Sequence, residues 1–257
     1  YGFYTFSCSQ DYGEYHLNSL EFQDAIAKTK QIRQNKLTFD ALTAEEREAI
    51  GQTDDVALWN AGKMALRFAQ TYAIPDMLKS CNFPIRFIGV PGGKTTFIPD
   101  YLGISTKCEH TQEAYEFAKW MSFGKEGILK RLELDETGKE FSSLPLSKDP
   151  EIIDAYFNED YAILGVEELF RDSVNGVVEG TKIIPGYVDS RWNARIGTNV
   201  TVNIDGNPTT NPQIGQVIDQ AWLGNITYAD YMDGLNTVAN NAYHKTLSKL
   251  EKIYRPT

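Results

Sequence analysis

Along the chain, apolar positions recur at helical spacing more often than at strand spacing. In LEFQDAIAKTKQIRQNK, residues 20–36, Phe22, Ile26, Thr29 and Ile32 fall on one stripe, the repeat of an amphipathic helix. LTAEEREAI starts a second helix, because Thr43 followed three residues later by Glu46 is a reciprocal capping pair. In DDVALWNAGKMALRFAQTYAIPDML a short helix is broken at Gly62, and the run Met64–Phe68 reads as a buried strand. A further helix starts near Tyr72 or Pro75. FPIRFIGVP predicts a strand closed by Pro91, Gly92 and Gly93. TTFIPDYLGIS predicts another, with Pro99 marking an edge or bend because proline has no amide to give a ladder. From Thr111 onward, Ala114, Phe117, Ala118 and Met121 stand at i, i+3, i+4 and i+7, a helix with one apolar face.

The opening YGFYTFSC reads as a strand, and residues 136–150 as a polar, turn-rich crossover. DPEIIDAYFNEDYAILGVEELFRDSV is helical in composition, and IIPGYVDSRWNARIG a strand or loop running into a helix. The last helix is predicted to start at Thr227, capped with Asp230, and to reach about Tyr254 with Tyr231, Leu235, Val238 and Ala242 on its stripe. The fold class is α/β with more helix than strand. The chain shows no internal repeat, and no apolar run approaches the ~18–20 residues of a membrane span. It opens at Tyr1, without methionine or a basic-then-apolar leader, and is expected to be a mature or trimmed piece.

Charge narrows the partners. Thirty-five acidic against 25 basic residues leave −10, which argues against nucleic acid, since phosphate binding needs a basic face. Candidate chemistry is sparse. GVPGGKTT supplies Gly93-Lys94-Thr95, the second half of a phosphate-binding loop, but the first glycine would have to stand where Ile88 is. The stretch after Thr95 is strand-like and not the helix whose N-terminal amides would hold a phosphate. His16, His110 and His244 are far apart and without neighbouring ligands, and Cys8, Cys81 and Cys108 have no metal-like spacing, so no metal or cofactor is expected. No G-x-S-x-G elbow surrounds the serines. A pair of glycosidase carboxylates would meet only in the fold. The sequons at Asn199 and Asn225 are expected to be chance.

Aromatic content is the remaining signal: 14 Tyr, 13 Phe and 4 Trp. Tyr4, Trp59, Tyr72, Tyr101, Tyr187 and Trp192 lie beside glycine, proline or polar breaks instead of inside periodic runs. Clefts for sugars and other small molecules use such rings to cover C–H faces while Asn, Asp and Arg take the polar groups.

Three blocks in order resemble a known family. WNAGKMALRFAQTY, FPIRFIGVPGGKTTFIPDYLGISTKCEHTQEAYEFAKWMSFGKEG and WLGNITYADYMDGLNTVANNA are similar to successive blocks of the extracellular solute-binding proteins of ABC importers, family 1, the maltose-binding-protein-like receptors. The resemblance covers most of the chain but only the C-terminal part of the family's length. It implies a periplasmic-binding-protein-like type II lobe, helix-rich around a mixed sheet, with the first lobe largely missing. Residues 1–88 and 150–257 would form the second lobe, and 89–149 a hinge crossing and a piece of the first. It implies a sugar or oligosaccharide bound in a cleft without catalysis, ABC importer membrane subunits as partners, and an extracellular lipoprotein or periplasmic location. Carried onto this sequence, the ligand-binding residues are Tyr72, Tyr187 and Trp192 as stacking faces, Arg195 and Asp189 as polar contacts, and Tyr4 and Trp59 as further aromatics. The chain departs from the family at Trp59, at Leu66 and in an insertion-like stretch at 198–213. The alternatives are a carbohydrate-active hydrolase and a sensor or interaction lobe that needs no small ligand.

Overall fold

Ser19 opens the first helix: its Oγ accepts from the Phe22 amide at 3.1 Å, and α1 runs Leu20–Gln34 until Lys36, at φ 54°, turns the chain away. A computed structural model describes residues 13–52, 54–89, 96–97, 100–135, 144–145, 147–157, 165–172, 177–178 and 184–254. The expected opening strand, Tyr4, Cys8, the Gly93-Lys94-Thr95 turn and most of the polar crossover lie outside them.

The capping pair forms as the sequence predicts. Thr43 Oγ1 accepts from the Glu46 amide (3.2 Å), Glu46 Oε2 accepts from the Thr43 amide (2.9 Å), and α2 spans Ala44–Ile50. Asp54 caps α3 (Asp55–Asn60), and Gly62, at φ 69°, breaks the chain. Met64–Phe68 is not a buried strand: the backbone is irregular and Phe68 is 80% exposed. Its alternating apolar residues have no paired neighbour among the described residues, and an unpaired strand satisfies none of its backbone groups. Pro75 sits in the first turn of α4 (Ile74–Ser80), where its missing amide costs nothing.

Residues 83–89 form no strand, and of TTFIPDYLGIS only β1 (Thr96–Phe97) does, with Tyr101 and Leu102 exposed. Then come α5 (Thr111–Ser122), α6 (Lys125–Leu134), α7 (Pro150–Tyr156), α8 (Val166–Asp172) and β2 (Val177–Val178). A turn of π-helix (Val188–Asn193) precedes β3 (Thr201–Ile204), β4 (Asn207–Thr210), α9 (Ile214–Leu223) and α10 (Met232–Tyr254). Where one mixed sheet was expected, the described residues hold two separate ladders, β1 parallel to β2 and β3 antiparallel to β4. The insertion-like stretch at 198–213 is this β3–β4 hairpin. Asp205 and Gly206, at φ 50° and 85°, make its two-residue turn.

The chain forms two compact units, each drawn from distant segments: Tyr1–Ala49, Thr96–Pro99 and Val177–Thr257 in the first, Ile50–Thr95 and Asp100–Gly176 in the second. The expected division put 50–88 and 150–176 with the chain's ends. They join the middle because Ile74 of α4, Tyr156 of α7 and Val166 of α8 share one buried cluster with Leu132 of α6.

In the first unit α9 is the central rod. Its Ile214, Val217, Ile218 and Ala221 are buried in one cluster with Phe22 and Ile26 of α1, Val202 of β3, and Leu235, Ala239 and Tyr243 of α10. Two asparagines one turn apart on α10 act as a strand edge for residues 15–17. The Tyr15 amide donates to Asn240 Oδ1 (2.8 Å), Asn240 Nδ2 donates to the Tyr15 carbonyl (3.0 Å), and the Leu17 amide donates to Asn236 Oδ1 (2.8 Å). The last helix differs from expectation at its start. Thr227 makes no side-chain cap, a short 3-10 turn at Tyr228–Asp230 intervenes, and Tyr243, not Ala242, carries the buried face onward.

In the second unit the backbone approaches itself closely at two glycines. A Cβ on Gly165 (φ 89°) would lie 2.0 Å from the Phe87 carbonyl oxygen, and one on Gly127 would lie 1.8 Å from that of Trp120. Lys125 ties the starts of α6 and α7 through Asp149 (2.9 Å) and Glu151 (2.7 Å). In α5 no residue is buried, and Phe117, on the predicted apolar face, is 66% exposed.

Candidate functional site

The segment from Tyr187 to Arg195 in the first unit gathers four of the expected ligand-binding residues. Its π-wound turn sets their directions. Widening the coil buries Tyr187, Ser190 and Arg191 together and leaves Val188, Asp189 and Asn193 outside. Tyr187 is 4% exposed, its ring 6.2 Å from that of Tyr15, so it stands in the core and not on a ligand-facing wall. Ser190 Oγ is 2.7 Å from the Tyr15 hydroxyl and donates to the Gly186 carbonyl (2.9 Å), which anchors the turn from inside.

Trp192 is half-buried and its ring is held on two sides. The Arg191 guanidinium lies over one face, 4.5 Å from the centroid, and the same guanidinium stands 5.2 Å from the Phe22 ring. Along one ring edge, Gly215 comes so near that a Cβ there would sit 2.9 Å from Trp192 Cε3. Asp189 is exposed and its Oδ1 accepts from Asn193 Nδ2 (3.3 Å). Arg195 is exposed, pairs its backbone with Gln213, and donates from Nη1 to the Asn211 carbonyl (2.9 Å). Asn211, at φ 55°, in turn accepts from the Gly197 amide through Oδ1 (2.9 Å). A half-buried indole thus stands three residues from a carboxylate on one side and three from a guanidinium on the other.

Behind this segment lies Tyr228, which donates to the Leu17 carbonyl at 2.7 Å. Burial pushes its hydroxyl well above the ordinary tyrosine value, and the nearby Arg191 cation opposes that only in part.

The remaining expected residues lie in the second unit. Tyr72, in the 3-10 turn Thr71–Ala73, is 63% exposed and presents its ring to solvent. Trp59, at the end of α3, packs edge-on against Phe83 with centroids 5.8 Å apart. Its buried Nε1 has no hydrogen-bond partner among the described residues. A cavity of ≈ 260 Å³ in this unit is lined by Arg86, Phe87, Ile88, Gly165, Glu168 and Leu169, none of them expected from the sequence. Among the described residues no group of three or more His, Cys, Asp or Glu side chains could hold a metal ion, and Cys81 and Cys108 are free. No helix among them is long and apolar enough to cross a membrane.

Sequence reasoning missed Arg191, Phe22 and Gly215, the three residues that fix Trp192 in place. An arginine inside YVDSRWNAR looks like a solvated charge, and nothing local marks its guanidinium as sandwiched between rings. No protein-family model matches the chain, and no curated protein matches it.

Proposed function

We propose that this chain is the C-terminal portion of the extracellular substrate-binding component of an ABC importer, a periplasmic-binding-protein-like type II lobe of a protein that binds a sugar or oligosaccharide and performs no catalysis. The observation that supports this reading best is one short stretch of the first unit that carries the half-buried Trp192 ring with the exposed Asp189 carboxylate and Arg195 guanidinium three residues to either side. In this reading Trp192 supplies a stacking face, and Asp189 and Arg195 take hydroxyls or a carboxylate. Tyr187 contributes through packing beneath the segment.

A thermal-shift screen of the chain against sugars and oligosaccharides tests it. A solute at 100 times its Kd adds about 2.7 kcal/mol to the stability of the unit that binds it. A shift lost in Trp192→Ala is expected; the absence of a shift with every sugar would sink the reading, and turnover of a glycoside would replace it with the hydrolase.

A second reading, an interaction lobe, has one observation behind it: the exposed Phe117 and Met121 on α5. It predicts that the chain captures a membrane partner with no small ligand present, and that Phe117→Glu abolishes that capture.

A further inference from the structure

We propose that the second unit holds a site for a free α-amino acid with an apolar side chain, in the cavity between residues 86–88 and α8. The inference goes beyond the solute-binding reading: it assigns a second ligand to the other unit and is independent of what binds at Trp192.

The walls of the cavity are set by packing. Phe87 packs against the buried cluster of Ile74, Tyr156 and Val166, which anchors residues 86–88 to the core of their own unit. Gly165 lets that backbone run against the start of α8, since a Cβ there would lie 2.0 Å from the Phe87 carbonyl oxygen. Gly89, at φ 76°, turns the chain beside Leu169, so close that its own Cβ would lie 3.0 Å from Leu169 Cδ2. The space left is ≈ 260 Å³, below the roughly 300–1,000 Å³ of pockets for drug-sized ligands. A single small molecule fits it.

The lining is apolar at Phe87, Ile88 and Leu169 and carries one charge of each sign, Arg86 and Glu168. Both charged residues are exposed, and neither side chain has a hydrogen-bond or ion-pair partner among the described residues. Opposite charges on one small cavity attract, yet these two form no pair and so stand farther apart than the ~4 Å of an ion pair. A ligand with a carboxylate and an ammonium on one carbon bridges them. Its carboxylate accepts from the Arg86 guanidinium, whose planar fork matches it, and its ammonium donates to the Glu168 carboxylate. The ligand's side chain then covers Leu169 and Ile88, the latter 68% exposed despite being a large aliphatic residue. A free acid, a free amine or a peptide terminus answers only one of the two charges, and a neutral sugar answers neither.

The experiment is isothermal titration of the chain with L-leucine, L-methionine and L-phenylalanine. Three truncated probes run alongside: isocaproate without the ammonium, leucinamide without the carboxylate, and glycine without the side chain. At least one of the three amino acids is expected to bind, and the truncated probes at least about tenfold more weakly, because each leaves one part of the site unanswered. Glu168→Gln should remove the advantage of leucine over isocaproate, and Arg86→Gln its advantage over leucinamide. Both positions are exposed, so the variants should melt as the wild type does without ligand. Isocaproate or leucinamide binding as tightly as leucine would overturn the assignment of a zwitterion. Leucine binding that neither variant weakens would place it elsewhere, and no binding by any amino acid would overturn the proposal outright. None of these outcomes touches the sugar reading, which is tested at Trp192, and the failure of every sugar there would leave this site standing.

Discussion

In the first unit, residues from α1, β3, α9 and α10 converge on one core in which Ile214, Val217, Ile218 and Leu235 are wholly excluded from water. In the second, the buried cluster is centred on Ile74, Tyr156 and Val166, and large apolar residues such as Leu66, Phe68, Tyr101, Leu102 and Phe117 face solvent. Both units are built largely from helices of similar character, so composition alone does not separate them. What separates them is the presence of a central element. α9 has apolar residues at enough positions around its circumference to be packed on several sides, whereas α5 buries none of its residues fully and leaves Phe117 and Met121 of its apolar stripe exposed. Both units are held by side-chain burial, but the second unit's core is smaller and its segments pass so close at Gly127 and Gly165 that no side chain fits there.

The sharpest way to break this comparison is to cut the central core. Leu235→Ala should cost about 2–5 kcal/mol, read in urea denaturation followed at first-unit amides by hydrogen exchange. The matching attack on the second unit is Gly165→Ala, which puts a methyl group into the Phe87 carbonyl at a left-handed φ. It should cost about 2–3 kcal/mol and strip exchange protection from α8 and residues 86–89. A destabilisation by Gly165→Ala of only a few tenths would show that the close backbone approach is not what holds the second unit.

Next in size is Tyr228→Phe, which leaves the Leu17 carbonyl without its buried donor and should cost about 1–3 kcal/mol in thermal melts. The folded tyrosine keeps its proton beyond the ordinary value, so this stabilisation is complete below about pH 10 and is lost as pH climbs through the folded value. Melts from pH 8 to 11 should show the wild type losing stability at the alkaline end more steeply than the phenylalanine variant. The smallest effect belongs to Phe117→Gln on α5, expected to change stability by less than about 0.5 kcal/mol because its ring is already in water. A large loss would mean that α5 is covered in solution.

The same contrast explains what the sequence reveals. α1, the Thr43–Glu46 capping pair, the Gly62 break, the Pro75 helix start and α5 are all legible, because each is decided by residues within one or two turns. The strands predicted at Met64–Phe68 and 83–91 failed on the described residues. Strand existence depends on a distant partner, and an apolar run cannot supply one. The β3–β4 hairpin was missed although its signal was local: Asp205-Gly206 between alternating residues is the favoured two-residue turn. At the candidate site, Tyr187 and Trp192 stand out in the sequence as aromatics at a break, whereas Asp189 and Arg195 enter only with the family resemblance. The inward turn of Tyr187 and Arg191 was not legible, because it arises from the widened π-turn and from a phenylalanine on α1. Residues so far apart in sequence meet only once α9 has organised the unit.

The pairing of Tyr15 and Leu17 with Asn240 and Asn236 also bears on how the chain is made. Asn240 lies 225 positions after Tyr15, so a ribosome adding 5–20 residues per second leaves that stretch without its partner for roughly 10–45 seconds. Through that interval two aromatic-flanked backbone edges are open to any passing strand, and the first unit cannot close until translation has passed α10. Slowing elongation over residues 17–236 should therefore lengthen the time the nascent chain spends bound to chaperones, whereas slowing it over residues 1–14 should not.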